Sequence, residues 1–199
     1  MTWWPLPAPL VLASTSKYRY AQLQRLGVAF TAFAPSYEEL PLAGLDARQL
    51  IVHHATQKAD AVRRTYPDRL AWILAADQGV VLAGTLLGKP HTAANAVTQL
   101  LEMAGQIHEL RTHVVLDTPG QQWQETSVAR VQVRPLTRAE AQAYVARDAP
   151  LDCAGSYKIE CAGPWLFDAI ETDDPTSIEG LPLIAVARLL RLAVAATAA

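Results

Sequence analysis

The segment Ser14-Thr15-Ser16-Lys17-Tyr18-Arg19 gathers hydroxyls and two cations where a short apolar run gives way to a helix-like pattern. Hydroxyls and backbone N–H groups at a helix start can cradle a phosphate, with the helix dipole adding to Lys17 and Arg19. The same residues also make an ordinary serine N-cap beside a solvated arginine, and from these residues alone both readings stand. Asp77 follows the apolar run Ala71–Ala76, at the expected C-terminal end of a strand, where ligands gather in α/β sheets. A carboxylate there can serve as general base or metal ligand, or it can cap the next turn. Glu38 and Glu39, after Pro35, could offer a magnesium ion another carboxylate, or form a solvated acidic pair.

Only four of the 17 basic residues are lysines: Lys17, Lys58, Lys89 and Lys158. Lys89 stands between Gly88 and Pro90, which fix the backbone that presents it, and a compact ammonium suits phosphate as a point charge. His53 and His54 are adjacent on a helical pattern and point in different directions, so they read as structural or surface histidines. Cys153 and Cys161 have no histidine at zinc-ligand spacing and no activating partner, which leaves reduced, half-buried thiols. Trp3, Trp4, Trp72, Trp123 and Trp165 are scattered as core or surface plugs. Neither a dinucleotide fingerprint nor a Walker-type loop is present.

Positioning these residues requires alternating elements. Leu10–Ser14 reads as a buried strand, Tyr18–Leu26 as a helix stopped by Gly27, and Val28–Ala34 as a strand ending at Pro35. Asp46 caps a long helix from Ala47 to about Tyr66, halted by Pro67. Ala71–Ala76 and Val80–Ala83 read as two separate strands. Thr92 caps a helix through Met103, and Glu109–Leu116 with Thr126–Val133 form strands around a turn at Pro119 and Gly120. Thr137-Arg-Ala-Glu140 is a capping box for a helix to about Arg147. Asp148 to Pro182 is loop-rich, and a last apolar helix runs from Leu183 towards Ala196. The order implies an α/β protein with a mixed sheet and no dividing linker, one domain over 1–199.

Composition narrows the function. With 51% hydrophobic and 18% charged residues the chain of 199 residues can bury a core. Its 17 Lys+Arg against 19 Asp+Glu give a net charge of −2, which argues against a general nucleic-acid binder. Met1 to Ser14 is apolar, but it lacks a basic n-region and is broken by Pro5, Pro7 and Pro9, so it does not read as a signal peptide. No run approaches the ~20 apolar residues needed to span a bilayer. The expectation is a cytoplasmic protein with no membrane partner.

Six motifs occur in order: Leu12-Ala-Ser-Thr-Ser-Lys-Tyr-Arg19, Ala34-Pro35 with Glu38-Glu39, Ala76-Asp-Gln78, Gly88-Lys-Pro90, Ala154-Gly-Ser-Tyr-Lys-Ile-Glu160 and Gly180-Leu-Pro182. Each is weak alone, but together they resemble the Maf family of nucleoside triphosphate pyrophosphatases, from about Leu10 to Arg191. The resemblance implies a mixed twisted sheet with flanking helices, related to the inosine-triphosphatase fold, with two lobes around a deep nucleotide-binding cleft. It also implies a homodimer and a divalent metal, magnesium or manganese. By the same resemblance Asp77 matches the catalytic proton acceptor and, with Glu39, the metal site. Ser14, Ser16, Arg19, Lys58 and Lys89 match the phosphate-side groups, and Tyr18, Gln78 and Glu160 fall where base choice is tuned.

Those three positions favour one branch. The branch acting on dTTP and UTP usually has Arg, Thr and Gln there, whereas this chain resembles the branch acting on 7-methyl-GTP. N7-methylation makes guanine cationic, so an aromatic ring such as Tyr18 can stack on it, and Glu160 can accept from its donor edge. Tyr20 departs from the pattern, standing where a second arginine is common. The expected reaction is metal-assisted attack of water on the α-phosphorus, releasing the monophosphate and pyrophosphate. The alternatives are a dTTP, UTP or other non-canonical nucleotide pyrophosphatase, and a non-catalytic nucleotide-sensing regulator of septum formation.

Overall fold

Leu10–Ala13, four apolar residues in a row, form a strand (β1) that is buried on both faces. A continuous apolar run of this kind marks the centre of a parallel sheet covered on both sides. β1 pairs in parallel with β2 (Phe30–Phe33) on one edge and with β3 (Trp72–Leu82) on the other. Strand alternation then sorts the side chains. Leu10, Leu12, Trp72 and Leu74 pack with Val186, Leu189 and Leu190 of helix α5 (Leu183–Thr197) and with Leu23 of helix α1 (Lys17–Gln24). Val11, Ala13, Ile73 and Ala75 pack with Ala55, Ala59 and Val62 of helix α2 (Ala47–Thr65).

The computed structural model describes residues 4–40 and 42–197, so Trp3 lies outside the described residues. The remaining elements are β4 (Thr85–Leu87), α3 (Ala93–Met103), β5 (Ile107–Thr118), β6 (Gln121–Val133), α4 (Arg138–Asp148) and β7 (Phe167–Thr172). The sheet runs β2-β1-β3-β5-β6-β7, with β4 pairing to β3. β3–β4 and β6–β7 are antiparallel, so the sheet is mixed, as the sequence predicts.

The chain forms two compact units. The first, Met1–Asp77 with Thr112–Ser127 and Asp174–Ala199, holds the three layers described above. Within it, the buried Asp174 carboxylate accepts from the N–H groups of Thr176, Ile184 and Ala185, satisfying the start of α5. The second unit, Gln78–Arg111 with Val128–Asp173, packs α3 against α4. In it Ala129, Val131 and Val133 of β6 are buried while Arg130 and Gln132 are exposed, a strand with one wet face.

The predicted capping box at Thr137 is present, and the predicted cap at Asp46 proves to be a capping box as well. Asp46 and Gln49 close the N-terminus of α2, and Thr137 and Glu140 close that of α4. Two expectations are corrected. Ala71–Ala76 and Val80–Ala83 are not separate strands, because Asp77, Gln78 and Gly79 continue the extended backbone and β3 is one strand of 11 residues. The stretch Asp148–Pro182 is not all loop: Phe167–Thr172 pairs with β6 from Ala129 to Val133 as an added strand. Its alternation is masked, since none of its residues is fully buried.

Candidate active site

The site grows from the turn after β1. Ser16 donates its N–H to Oγ of Ser14 at 3.1 Å, and its own Oγ accepts from the N–H of Arg19 at 3.4 Å. Ser16 is therefore the N-cap of α1, as one of the two readings had it. Arg19, however, is not a solvated neighbour. Its Nε donates to the carbonyl of Gly180 at 3.1 Å and its Nη1 to the carbonyl of Ala76 at 2.9 Å. Burial pushes its pKa down and the carboxylates of Asp77 and Glu39 push back up, leaving a held cation. A guanidinium has five N–H donors, so three remain for an anion.

Asp77 does not end its strand, as the sequence suggested, but it does lie beyond the parallel pairing. The last β1–β3 partners are Leu12 and Leu74, three residues before it. Its Oδ1 accepts from Nζ of Lys58 at 2.5 Å. The same ammonium stands 2.6 Å from Oε1 of Glu39. Lys58 comes from the buried face of α2 and Glu39 from the irregular segment after β2. Arg19, Lys58, Asp77 and Glu39 thus form a set whose formal charges sum to zero.

Behind this set lies a pair the sequence did not reveal. Nδ1 of His54 is 2.7 Å from the hydroxyl of Tyr37. His54 is one turn before Lys58 on α2, and Tyr37 is two residues before Glu39. Burial holds His54 below its ordinary pKa, against the pull of Asp77 and Glu39, and burial with those same carboxylates raises Tyr37. No sequence signal marked this contact, because Tyr37 lies in a loop and adjacent histidines are usually surface residues. The Tyr18 ring is half-buried and has Nζ of Lys17 at 5.0 Å from its centroid, so its face already accepts a cation.

The other expected residues belong to the second unit. Gln78 follows Asp77 in β3, Lys89 is exposed on the turn after β4, and Glu160 is exposed beyond the 3-10 turn Ala154–Ser156. Glu38 is exposed, and no group of three or more His, Cys, Asp or Glu side chains converges among the described residues.

A model of the Maf-like protein family matches residues 9–193. The chain belongs to this family. Among its Maf relatives, a protein of Xanthomonas oryzae pv. oryzae (strain MAFF 311018) named 7-methyl-GTP pyrophosphatase is 44% identical over 92% of this chain and 95% of its own. A protein of the same name from Xanthomonas campestris pv. campestris (strain 8004) is 45% identical over 92% of this chain and 95% of its own. Another, from Polaromonas sp. (strain JS666 / ATCC BAA-500), is 41% identical over 95% of this chain and 86% of its own. The likeness to solved structures is slight: the Staphylococcus aureus Ham1 protein has a TM-score of 0.46 at 12% identity, over 63% of this chain and 71% of that one. In this Maf chain the Gly180-Leu-Pro182 motif supplies the carbonyl that holds Arg19.

Proposed function

We propose that this Maf protein hydrolyses a nucleoside triphosphate, 7-methyl-GTP in particular, to the monophosphate and pyrophosphate. The observation that carries the reading is the convergence of Lys58 on Asp77 and Glu39 beside the anchored Arg19, in a chain whose relatives bear that enzyme's name. Ser14, Ser16 and the N-terminus of α1 receive phosphate oxygens, with Arg19, Lys58 and Lys89 as cations. A water attacks the α-phosphorus, and the bond to the oxygen bridging to the β-phosphate breaks, so that pyrophosphate leaves. Asp77 accepts the proton lost by that water. Arg19 meets the charge that builds on the phosphoryl oxygens. At the other end Tyr18 stacks on the cationic base, while Glu160 and Gln78 read its edge.

The donor set fits a magnesium or manganese ion. Glu39 and Asp77 are hard oxygen ligands already gathered around one cation, and such ions are held by one or two carboxylates plus substrate phosphates. The set of Arg19, Lys58, Asp77 and Glu39 is neutral, so a triphosphate brings charge that the set does not balance. Held by Glu39 and Asp77, a divalent cation would offset part of that charge and make a bound water more acidic.

No helix among the described residues is long and apolar enough to cross a membrane. In this reading the protein works in the cytoplasm as a homodimer, in keeping with the resemblance its motifs carry, and sedimentation measures the second point. The reaction itself is tested by scoring pyrophosphate release from ordinary and methylated nucleoside triphosphates, with magnesium, with manganese and with a chelator. Fastest release from 7-methyl-GTP, lost with chelator, is expected. Fastest release from dTTP or UTP moves the chain to the other branch. Nucleotide binding without release makes it a sensor.

A further inference from the structure

Helix α3 carries Asn95 and Gln99 one turn apart on a common face. Nδ2 of Asn95 donates to the carbonyl of Pro90 at 3.0 Å, and Nε2 of Gln99 donates to the carbonyl of Gly88 at 3.0 Å. The backbone on both sides of Lys89 is therefore fastened to one helix. Gln99 has a second bond: its Oε1 accepts from Oγ of Ser156 at 2.5 Å. The amide orientation is forced, because a carbonyl can only accept and so must face the NH₂ group.

Ser156 is fully buried and has a backbone φ of +60°, a conformation that side chains seldom adopt. Gly155 before it is also left-handed, and a Cβ there would stand 2.7 Å from Cγ2 of Val80. Such a backbone persists where its surroundings over-determine it. Gln99 is one of those surroundings. Two others follow along the same loop: the hydroxyl of Tyr157 lies 3.0 Å from Nε2 of His108, and the N–H of Lys158 donates to the Tyr144 hydroxyl at 2.9 Å. Two residues later comes Glu160.

We infer that Gln99 is a positioning residue that fixes the Gly88-Lys89-Pro90 turn and the 154–160 loop against each other, so that the phosphate lysine and the base carboxylate are set as one unit. The inference rests on the roles proposed above for Lys89 and Glu160. It explains why one polar side chain of α3 bonds both to the motif 11 residues before it and to one 57 residues after it. Without Gln99 the Gly88 carbonyl and the Ser156 hydroxyl lose a shared partner, and the two segments are held together less tightly.

Hydrogen exchange and kinetics together test this. In Gln99→Leu, peptides covering 86–91 and 154–160 are both expected to exchange faster than in wild type, with α2 and α5 unchanged. Ser156→Ala removes only the bond to the 154–160 loop, leaving Gln99 on the Gly88 carbonyl, and is expected to speed exchange in 154–160 alone. Thr98→Ala, whose hydroxyl bonds only within α3 to the carbonyl of Ala94, is the control. The ratio of kcat/KM for 7-methyl-GTP over GTP is expected to fall about two- to tenfold in both variants, the worth of one hydrogen bond. The double variant is expected to do no worse than Gln99→Leu alone, as for residues that share one interaction. Faster exchange in one segment alone in Gln99→Leu, or an unchanged ratio in either active variant, overturns the inference. If wild type turns over no nucleotide, the proposed function falls, and the exchange pattern still decides whether Gln99 links the two segments.

Discussion

Lys58 and Asp77 meet with Nζ 2.5 Å from Oδ1, and each side chain keeps only a tenth or less of its exposure. Glu39 touches the same ammonium while staying half exposed. The three groups are therefore unequal: a buried pair forms the centre, and Glu39 approaches from the wet side. In the proposed reaction Asp77, at the centre of this arrangement, takes the proton of the attacking water.

Asp77→Asn keeps the shape and still accepts from Lys58, but it cannot take the proton from water. Pyrophosphate release is expected to drop by roughly 10²–10⁴, the usual worth of a general base. Nucleotide affinity by titration calorimetry is expected to stay within a few-fold. A variant retaining most of the wild-type rate removes Asp77 from that role.

The inequality around Lys58 has a stability signature. Lys58→Met leaves Asp77 buried without its partner and is expected to cost about 3 kcal/mol. Glu39→Gln removes a half-exposed partner and is expected to cost less than about 1 kcal/mol. Urea denaturation of both variants reads the difference, and equal losses would count against the asymmetry.

Base choice is expected to respond to Tyr18 and Glu160 separately. Glu160→Gln should lower kcat/KM for 7-methyl-GTP more than for pyrimidine triphosphates, by roughly 1–3 kcal/mol, about 5- to 150-fold. Tyr18→Ala should narrow the gap between 7-methyl-GTP and GTP, because stacking on a cation is what separates them. Uniform losses across a nucleotide panel, in both variants, would place these residues away from the base.

His108 makes stability depend on pH. Burial lowers its pKa to about 4 in the folded chain, and its Nδ1 has no hydrogen-bond partner. An unfolded histidine titrates at about 6.5, so between those values the unfolded chain holds more protons. Stability then falls as pH drops through this window, by about 2 kcal/mol from pH 8 to pH 5 for this group. Urea midpoints at the two pH values should differ less in His108→Gln. An unchanged difference would remove His108 as the cause.

The two thiols should behave differently. Cys153 is part-buried, and burial with the nearby Asp152 carboxylate pushes it up to about 12, whereas Cys161 is exposed. A thiol reagent at neutral pH should modify Cys161 first and Cys153 slowly, since only the thiolate reacts. The double Cys→Ser variant should keep its activity. Loss of activity in a folded double variant would reopen a thiol mechanism.

What the sequence made legible were the elements with local signatures. The N-cap at Asp46, the capping box at Thr137 and the apolar runs of β1 and α5 follow from patterns within a few residues. Hidden features depended on distant partners. Asp77 to Gly79 look like a break, yet they continue the extended backbone between the residues paired with β1 and those paired with β4. The bond from Tyr37 to His54, and the choice between a solvated and an anchored Arg19, rest on groups brought from elsewhere in the chain. Residue types announced the chemistry, while the geometry that makes it work came from packing.

The anchoring of Arg19 also has a consequence in time. Its Nε is held by a carbonyl 161 residues further along the chain. A ribosome adding roughly 5–20 residues per second releases Gly180 some 8–30 seconds after Arg19. Until then the guanidinium lacks one of its two fixed acceptors, and α1 lacks the carbonyls of Thr176 and Leu181 to which Gln22 donates. The nascent chain thus carries Lys58, Asp77 and its first helix well before Arg19 has both of its acceptors, and a product cut short before Gly180 would never gain the second.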